Sequence, residues 1–324
     1  MDAAVALEGV VKGFGATRAV DGLDLIVASG TTCGVVGPSG AGKTTTIRLI
    51  LSILFPDAGK LTVLGRRSAL EAKDRIGYLP EERGVYRRMR VDAFLLYIAQ
   101  LKGVAADEAR RRAQALLERL DLGEAGARRC EDLSKGMLQR VQFVASVIHR
   151  PELLILDEPF GGLDPVSVRL LKQVIAEERA RGTTILFSTH VMAQAEELCD
   201  RVVMIHRGRK VLDEATTSLR RRFDAGRLLF EPLDVAADLA PLGALPGVTG
   251  LRREGDVCEL RLAPGTDVAA TIRAAAASVA PARIEMARVR LEDVFIRLVA
   301  GEAGGEATSA LRSELQGRLS GEAS

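Results

Sequence analysis

The chain alternates short apolar runs with amphipathic stretches over most of its length. Residues 5–11 and 23–28 carry brief β-rich runs, with Asp24 interspersed, and predict strands of a β subdomain. Thr32-Cys33-Gly34-Val35-Val36 is an apolar run ending at glycine, the pattern of a strand buried on both faces of a parallel sheet. A helix is expected from Gly42 through Leu54, broken by Pro56-Asp57-Ala58-Gly59, and Ile76–Leu79 reads as another short strand. From Asp92 to about Leu122 the period becomes helical. Ala109, Ala113, Leu116, Leu117 and Leu120 recur on one face with Arg and Glu between them. This predicts an α-helical subdomain reaching about residue 149. Leu153–Leu156, Thr184–Phe187 and Val202–Ile205 supply further buried strands, separated by helices over 166–181 and 191–199. Strands alternating with helices imply an α/β fold with a mostly parallel, doubly wound sheet.

The character changes after about Asp213. Cys258, Leu260 and Leu262 alternate with charged residues, as in a half-exposed strand. Pro264-Gly265-Thr266 precedes a helix to about 279, a strand follows near 283–290, and Leu291–Ala300 reads as a final helix. One large domain over 4–219 and a small α+β accessory domain over 220–300 are therefore expected. Residues 301–324, rich in Gly, Glu, Ala and Ser, are expected to be disordered.

Composition narrows the function. The 324 residues carry 45 basic and 43 acidic side chains, a net charge of only +2. That balance gives no electrostatic reason to bind nucleic acid. There is no Trp, and aromatics are 4%, so base-stacking platforms are scarce. Cys33, Cys130, Cys199 and Cys258 show neither zinc spacing nor a CxxC pair and read as buried thiols. No signal-peptide pattern and no spanning apolar stretch is found, so any work at a membrane requires another chain.

Two motifs carry chemistry. Gly37-Pro38-Ser39-Gly40-Ala41-Gly42-Lys43-Thr44 matches GxxxxGK[ST], after an apolar strand and before a helix. Its backbone N–H groups and the helix N-terminus, with Thr45 just beyond, suit the phosphates of ATP. Lys43 is expected to reach the terminal phosphates and the Thr44 hydroxyl to hold Mg²⁺. The second is Leu153-Leu154-Ile155-Leu156-Asp157-Glu158, an apolar run ending in two acids. A buried strand emerging there places both in the nucleotide crevice. Asp157 is expected at Mg²⁺, and Glu158 at the water that attacks the γ-phosphate.

Between them stands Leu133-Ser134-Lys135-Gly136-Met137-Leu138-Gln139-Arg140, which resembles the signature sequence of ABC ATPases. The resemblance covers roughly residues 4–212. Gly161-Gly162-Leu163-Asp164-Pro165 resembles the D-loop, and Ser188-Thr189-His190 resembles the switch histidine. Phe14 stands where the family places an aromatic on adenine; a core Phe is the alternative. The resemblance implies a head-to-tail dimer, homo- or heterodimeric. Ser134, the Gly136 backbone and Asp164 would then close on ATP held by the opposite copy. It further implies a separate integral membrane permease, with this subunit peripheral on the cytoplasmic face. Two departures are visible. Glu81, in Ile76-Gly77-Tyr78-Leu79-Pro80-Glu81-Glu82, replaces the usual Gln as a Mg²⁺ contact, and Lys135 and Met137 alter the signature. Both resemble ABC-2-type exporters, including the sodium-export branch. Against a DNA-repair ABC ATPase, Lys43 and Ser134 are only 91 residues apart, too close for a long coiled coil. Against ribosome-acting members, the chain has one phosphate loop. A P-loop kinase or GTPase would not need residues 133–140.

Overall fold

A computed structural model describes residues 2–82, 84–223, 226–287 and 290–300. The described residues divide into two compact units, the first reaching Ala215 and including 298–300, the second Thr216–Arg297. The expected disordered segment 301–324 lies outside the described residues.

The first unit is built on a six-stranded sheet. Its strands are β3 (Thr32–Val36), β5 (Ile76–Leu79), β6 (Leu153–Asp157), β7 (Thr184–Thr189), β8 (Arg201–His206) and β9 (Arg209–Ala215). Their order is β5-β6-β7-β3-β8-β9, parallel throughout except for β9, which runs back along β8. Every residue of β3, β6 and β7 is buried, as expected for strands covered on both faces. A second sheet is antiparallel, ordered β2-β1-β4, from β1 (Ala3–Phe14), β2 (Thr17–Ala28) and β4 (Ala58–Val63). One continuous core joins them through Val5, Leu25, Ile47, Ile155 and Val203.

Helix α1 (Lys43–Ile50) stops four residues short of the expected Leu54. Ser52 adopts φ 56°, and the carbonyl of Arg48 accepts from both Ile53 and Leu54, closing the helix with a left-handed turn. The helical stretch after Asp92 is two helices, α2 (Val91–Leu101) and α3 (Ala106–Arg119). They are separated where Gly103 takes φ 82°. Helix α4 (Lys135–Val147) completes this helical layer. Helices α5 (Pro165–Ala180) and α6 (Met192–Leu198) make the crossovers between the later strands.

The approach of α4 to the sheet is close. A Cβ on Gly77 in β5 would stand 2.1 Å from the Ser146 carbonyl oxygen of α4 and 3.0 Å from Leu154 and Pro151. The neighbouring carbonyl of Ile76 receives both Lys102 Nζ, at 2.9 Å, and His149 Nε2, at 3.1 Å.

The second unit comprises α7 (Thr216–Phe223), β10 (Arg227–Pro232), α8 (Ala240–Gly243), β11 (Val248–Glu254), β12 (Val257–Leu262), α9 (Val268–Ser278), β13 (Pro281–Met286) and α10 (Leu291–Ala300), whose last residues fall in the first. The strands form an antiparallel sheet ordered β11-β12-β10-β13. Leu228, Phe230, Cys258 and Leu260 pack under Ala275 and Val279 of the α9 segment. Among the described residues no helix is long and apolar enough to cross a membrane. All four cysteines are buried and unbridged, and burial pushes the Cys33 thiol up to about 12.

Candidate active site

The phosphate loop leaves β3 and enters α1 through a backbone that only glycine allows. Gly37, Gly40 and Gly42 have φ 157°, 77° and 107°. A side chain at Gly37 would meet the Ile205 carbonyl oxygen at 2.2 Å, and one at Gly42 the Ala19 carbonyl oxygen at 2.3 Å. The β8–β9 turn buttresses the loop, with Gly208 N–H donating to the Ala41 carbonyl. Ser39 and Gly40 face solvent, Pro38, Thr44 and Thr45 are half-buried, and Ala41 is buried.

Lys43 sits inside this loop, 7% exposed, and donates to the carbonyls of Gly37 (2.8 Å) and Pro38 (3.1 Å). Its Nζ lies 4.0 Å from Glu158 Oε1. Burial pushes the Lys43 ammonium below its ordinary range, while Glu158, Asp157 and Glu81 oppose that shift.

The two acids at the end of β6 differ sharply. Asp157 is 1% exposed, and neither carboxylate oxygen has a hydrogen-bond partner. Burial raises its pKa, and the charges of Glu81 and Glu158 add to this. The hydroxyls of Ser188 and Thr44 work the other way, near enough to be felt without closing a hydrogen bond. A buried carboxylate without donors, beside a threonine hydroxyl, is a donor set suited to a hard cation. Among the described residues no group of three or more His, Cys, Asp or Glu converges on one point.

Glu158 turns back at φ 49°, a left-handed conformation unusual for a side-chain-bearing residue. Its N–H donates to Ser188 O at the end of β7, and this turn aims the carboxylate at the loop. His190 Nδ1 lies 2.8 Å from Glu158 Oε1; a carboxylate can only accept, so Nδ1 carries the proton. The Thr189 hydroxyl stands 3.2 Å from Glu158 Oε2 and 2.9 Å from Gln194 Oε1, and it accepts from Val191 N–H. Its single proton serves one of those two oxygens at a time.

The other expected site residues lie further along the chain's surface. Ser134 caps α4, its hydroxyl accepting from Met137 N–H at 3.2 Å, and Gly136 lies in the first turn beside Leu163. Asp164 caps α5, accepting from Val166 and Ser167 N–H and from the Ser167 hydroxyl, which lowers its pKa. Phe14 ends β1 51% exposed, with Lys12 Nζ 5.8 Å from its ring centre, so it is no core residue. Glu81 is exposed, yet its charge reaches both Lys43 and Asp157.

Sequence reasoning overlooked two residues. Thr189 was visible only as part of the Ser-Thr-His run, and its hydroxyl turns out to bear on Glu158. Gln139 of α4 donates to Pro159 O at 2.9 Å, tying the signature helix to the residue after Glu158. Nothing in the local pattern marks that pairing across 20 positions.

A glycine-shaped loop at the carboxyl end of a parallel sheet, its lysine facing two strand-end acids, defines a P-loop nucleoside triphosphatase. The family described as ABC transporter matches residues 20–161. The ABC transporter ATP-binding protein YhaQ of Bacillus subtilis is 38% identical over 294 residues, 90% of this chain and 97% of that one. The daunorubicin resistance ATP-binding protein DrrA3 of Streptomyces coeruleorubidus is 35% identical over 305 residues, 92% and 96% of the two chains. A solved ATP binding subunit of an ABC transporter superposes with a TM-score of 0.63 at 31% identity, covering 68% of this chain and 92% of that chain. The chain belongs to the ATP-binding proteins of ABC transporters. It binds ATP, is an ATPase, and is the subunit type that works with a membrane permease.

Proposed function

We propose that this chain hydrolyses Mg-ATP to drive an ABC-2-type exporter, with Glu158 as the base for the attacking water. The observation that carries the reading is the convergence of Lys43, His190 and Thr189 on the Glu158 carboxylate. The glycine loop with Thr44 and Thr45 cradles the triphosphate, and Lys43 leaves the Gly37 and Pro38 carbonyls for its terminal oxygens. Thr44 and Asp157, with Glu81 nearby, would hold Mg²⁺, which supplies charge neutralisation on the phosphates. Glu158 takes a proton from water as its oxygen bonds to the γ-phosphorus; the bond to the β-phosphate oxygen breaks, giving ADP and phosphate. His190 is oriented through Nδ1, and its Nε2 donates to the γ-phosphate when that nitrogen also carries a proton, the imidazolium form. Phe14 offers an exposed ring for adenine.

Ser134, Gly136 and Asp164 act from a second ATPase copy across a head-to-tail dimer. Their local capping geometry supports this: Ser134 stands at the N-terminus of a 13-residue helix, a favourable end for phosphate. Export is supported by similarity to the daunorubicin resistance proteins and to a Nod factor export ATP-binding protein of Paraburkholderia xenovorans, 38% identical over 221 residues. With no spanning helix described, the chain is held at the membrane by its permease. The test is co-expression with a candidate permease in vesicles. ATP-dependent transport lost with Lys43→Ala is expected; ATP turnover in those vesicles with no ATP-dependent transport would overturn the coupling.

A further inference from the structure

The accessory unit has two sheet edges, β11 and β13. They differ in what a second copy would meet. Ala287 N–H donates to Arg227 O on β10 at 2.8 Å, in register with the Leu229–Glu285 and Glu231–Arg283 pairs. By antiparallel alternation, Arg283 and Glu285 turn their backbone groups toward β10, and Ile284 and Met286 turn theirs outward. Among the described residues the outer edge of β13 is therefore an unpaired hydrogen-bonding template.

Its side chains make that template self-complementary. Arg283 and Glu285 are 53% and 50% exposed on the outer face, and Ile284 and Met286 line the inner, apolar face. A two-fold axis through Ile284 sets Ile284 against Ile284, its outward N–H and C=O exchanging two hydrogen bonds. It also sets each Arg283 against the other copy's Glu285, in the closer, non-hydrogen-bonded positions. On β11 the same spacing recurs in Arg252 and Glu254, but the residue between them is Arg253. A two-fold there would face guanidinium with guanidinium, and Arg253 is already turned to the Val235 carbonyl.

We propose that the β13 edge pairs with β13 of a second copy, making an antiparallel eight-stranded sheet across two accessory units. The contact is isologous and closes at two chains. It requires no nucleotide, so it is separable from any ATP-dependent dimer of the ATPase units. Because each accessory unit is covalently joined to its ATPase unit, the pairing keeps two ATPase units within reach of each other between turnovers. A six-residue edge is small, and the dimer is correspondingly weak.

Sedimentation equilibrium of the full chain in EDTA, without nucleotide, tests this. The wild type is expected to show a monomer–dimer equilibrium. Glu285→Arg puts like charges opposite each other twice and is expected to weaken the dimer about tenfold or more. Arg283→Glu combined with Glu285→Arg, and with Glu231→Arg to keep the Glu231–Arg283 ion pair within each copy, restores the complementary pairs and should return the dimer to about wild-type strength. A strictly monomeric wild type at about 100 μM would overturn the proposal. So would a dimer indifferent to Glu285→Arg, or a series growing beyond two chains, which signals an open, heterologous contact.

Discussion

His190 Nδ1 lies 2.8 Å from Glu158 Oε1, and the same oxygen is 4.0 Å from Lys43 Nζ. One carboxylate oxygen thus faces the imidazole and the ammonium together. Glu158→Gln preserves shape but removes the base. ATP turnover is expected to fall about 10²–10⁴-fold. The variant should still bind ATP and sediment as an ATP-dependent dimer. Wild-type turnover in this variant would remove Glu158 from the chemistry.

Thr189 makes a sharper test, because its hydroxyl reaches the Glu158 carboxylate. Thr189→Val removes the hydroxyl that bridges Oε2, Gln194 and Val191 N–H. A hydrogen bond to a carboxylate contributes about 1.5–3 kcal/mol, so kcat is expected to drop about ten- to a hundredfold with KM for ATP little changed. A rise in KM with kcat intact would show Thr189 serving nucleotide binding instead.

Phe14 separates the other way. Its ring is half exposed at the end of β1 and makes no core contact whose loss would unfold the sheet. Phe14→Ala is expected to raise the KM for ATP several-fold, about 1–2 kcal/mol of lost stacking, with kcat held. Unchanged KM would leave adenine to other residues.

The pattern of residues made the ATPase core readable because its strands are buried on both faces. Thr32–Val36 and Ile76–Leu79 fall at the expected limits, and Leu153–Leu156 extends only to Asp157. Strands with a wet face and at most one buried residue were missed, whereas half-exposed β12 was expected from Cys258, Leu260 and Leu262. In β4 only Val63 is buried, and Gly59 and Lys60 read as a turn. In β9 Leu212 is the one buried residue, and β11 ends in Arg252-Arg253-Glu254 with none. The site divided similarly. The phosphate loop and strand-end acids are contiguous in sequence and so visible. The links from Thr189 to Glu158 and from Gln139 to Pro159 join separate elements, and only the folded sheet brings them together.

Gly77 tests the joint between sheet and helical layer. Gly77→Ala drives a Cβ to 2.1 Å from the Ser146 carbonyl oxygen, with Leu154 and Pro151 at 3.0 Å leaving no lateral room. Backbone meets backbone, so relief requires α4 to move off β5. A loss of about 3 kcal/mol or more is expected, read as a clear fall in the thermal midpoint. A midpoint within a degree or so of wild type would show that α4 yields freely.

The same joint predicts a pH dependence. His149 Nε2 meets the Ile76 carbonyl, so the proton sits there, and Nδ1 is buried without a partner. Burial, with Lys102 beside it, pushes the His149 pKa down to about 4 from 6.5. The unfolded chain therefore takes up a proton that the folded chain refuses between those values. Stability from this residue is complete above about pH 6.5 and is lost as pH falls toward about 4. His149→Gln keeps a donor for Ile76 and cannot titrate. Urea unfolding at pH 7.5 and 4.5 should show the wild type losing about 2 kcal/mol more than the variant over that interval. Equal losses would mean that His149 is protonated in the folded chain as readily as in the unfolded one.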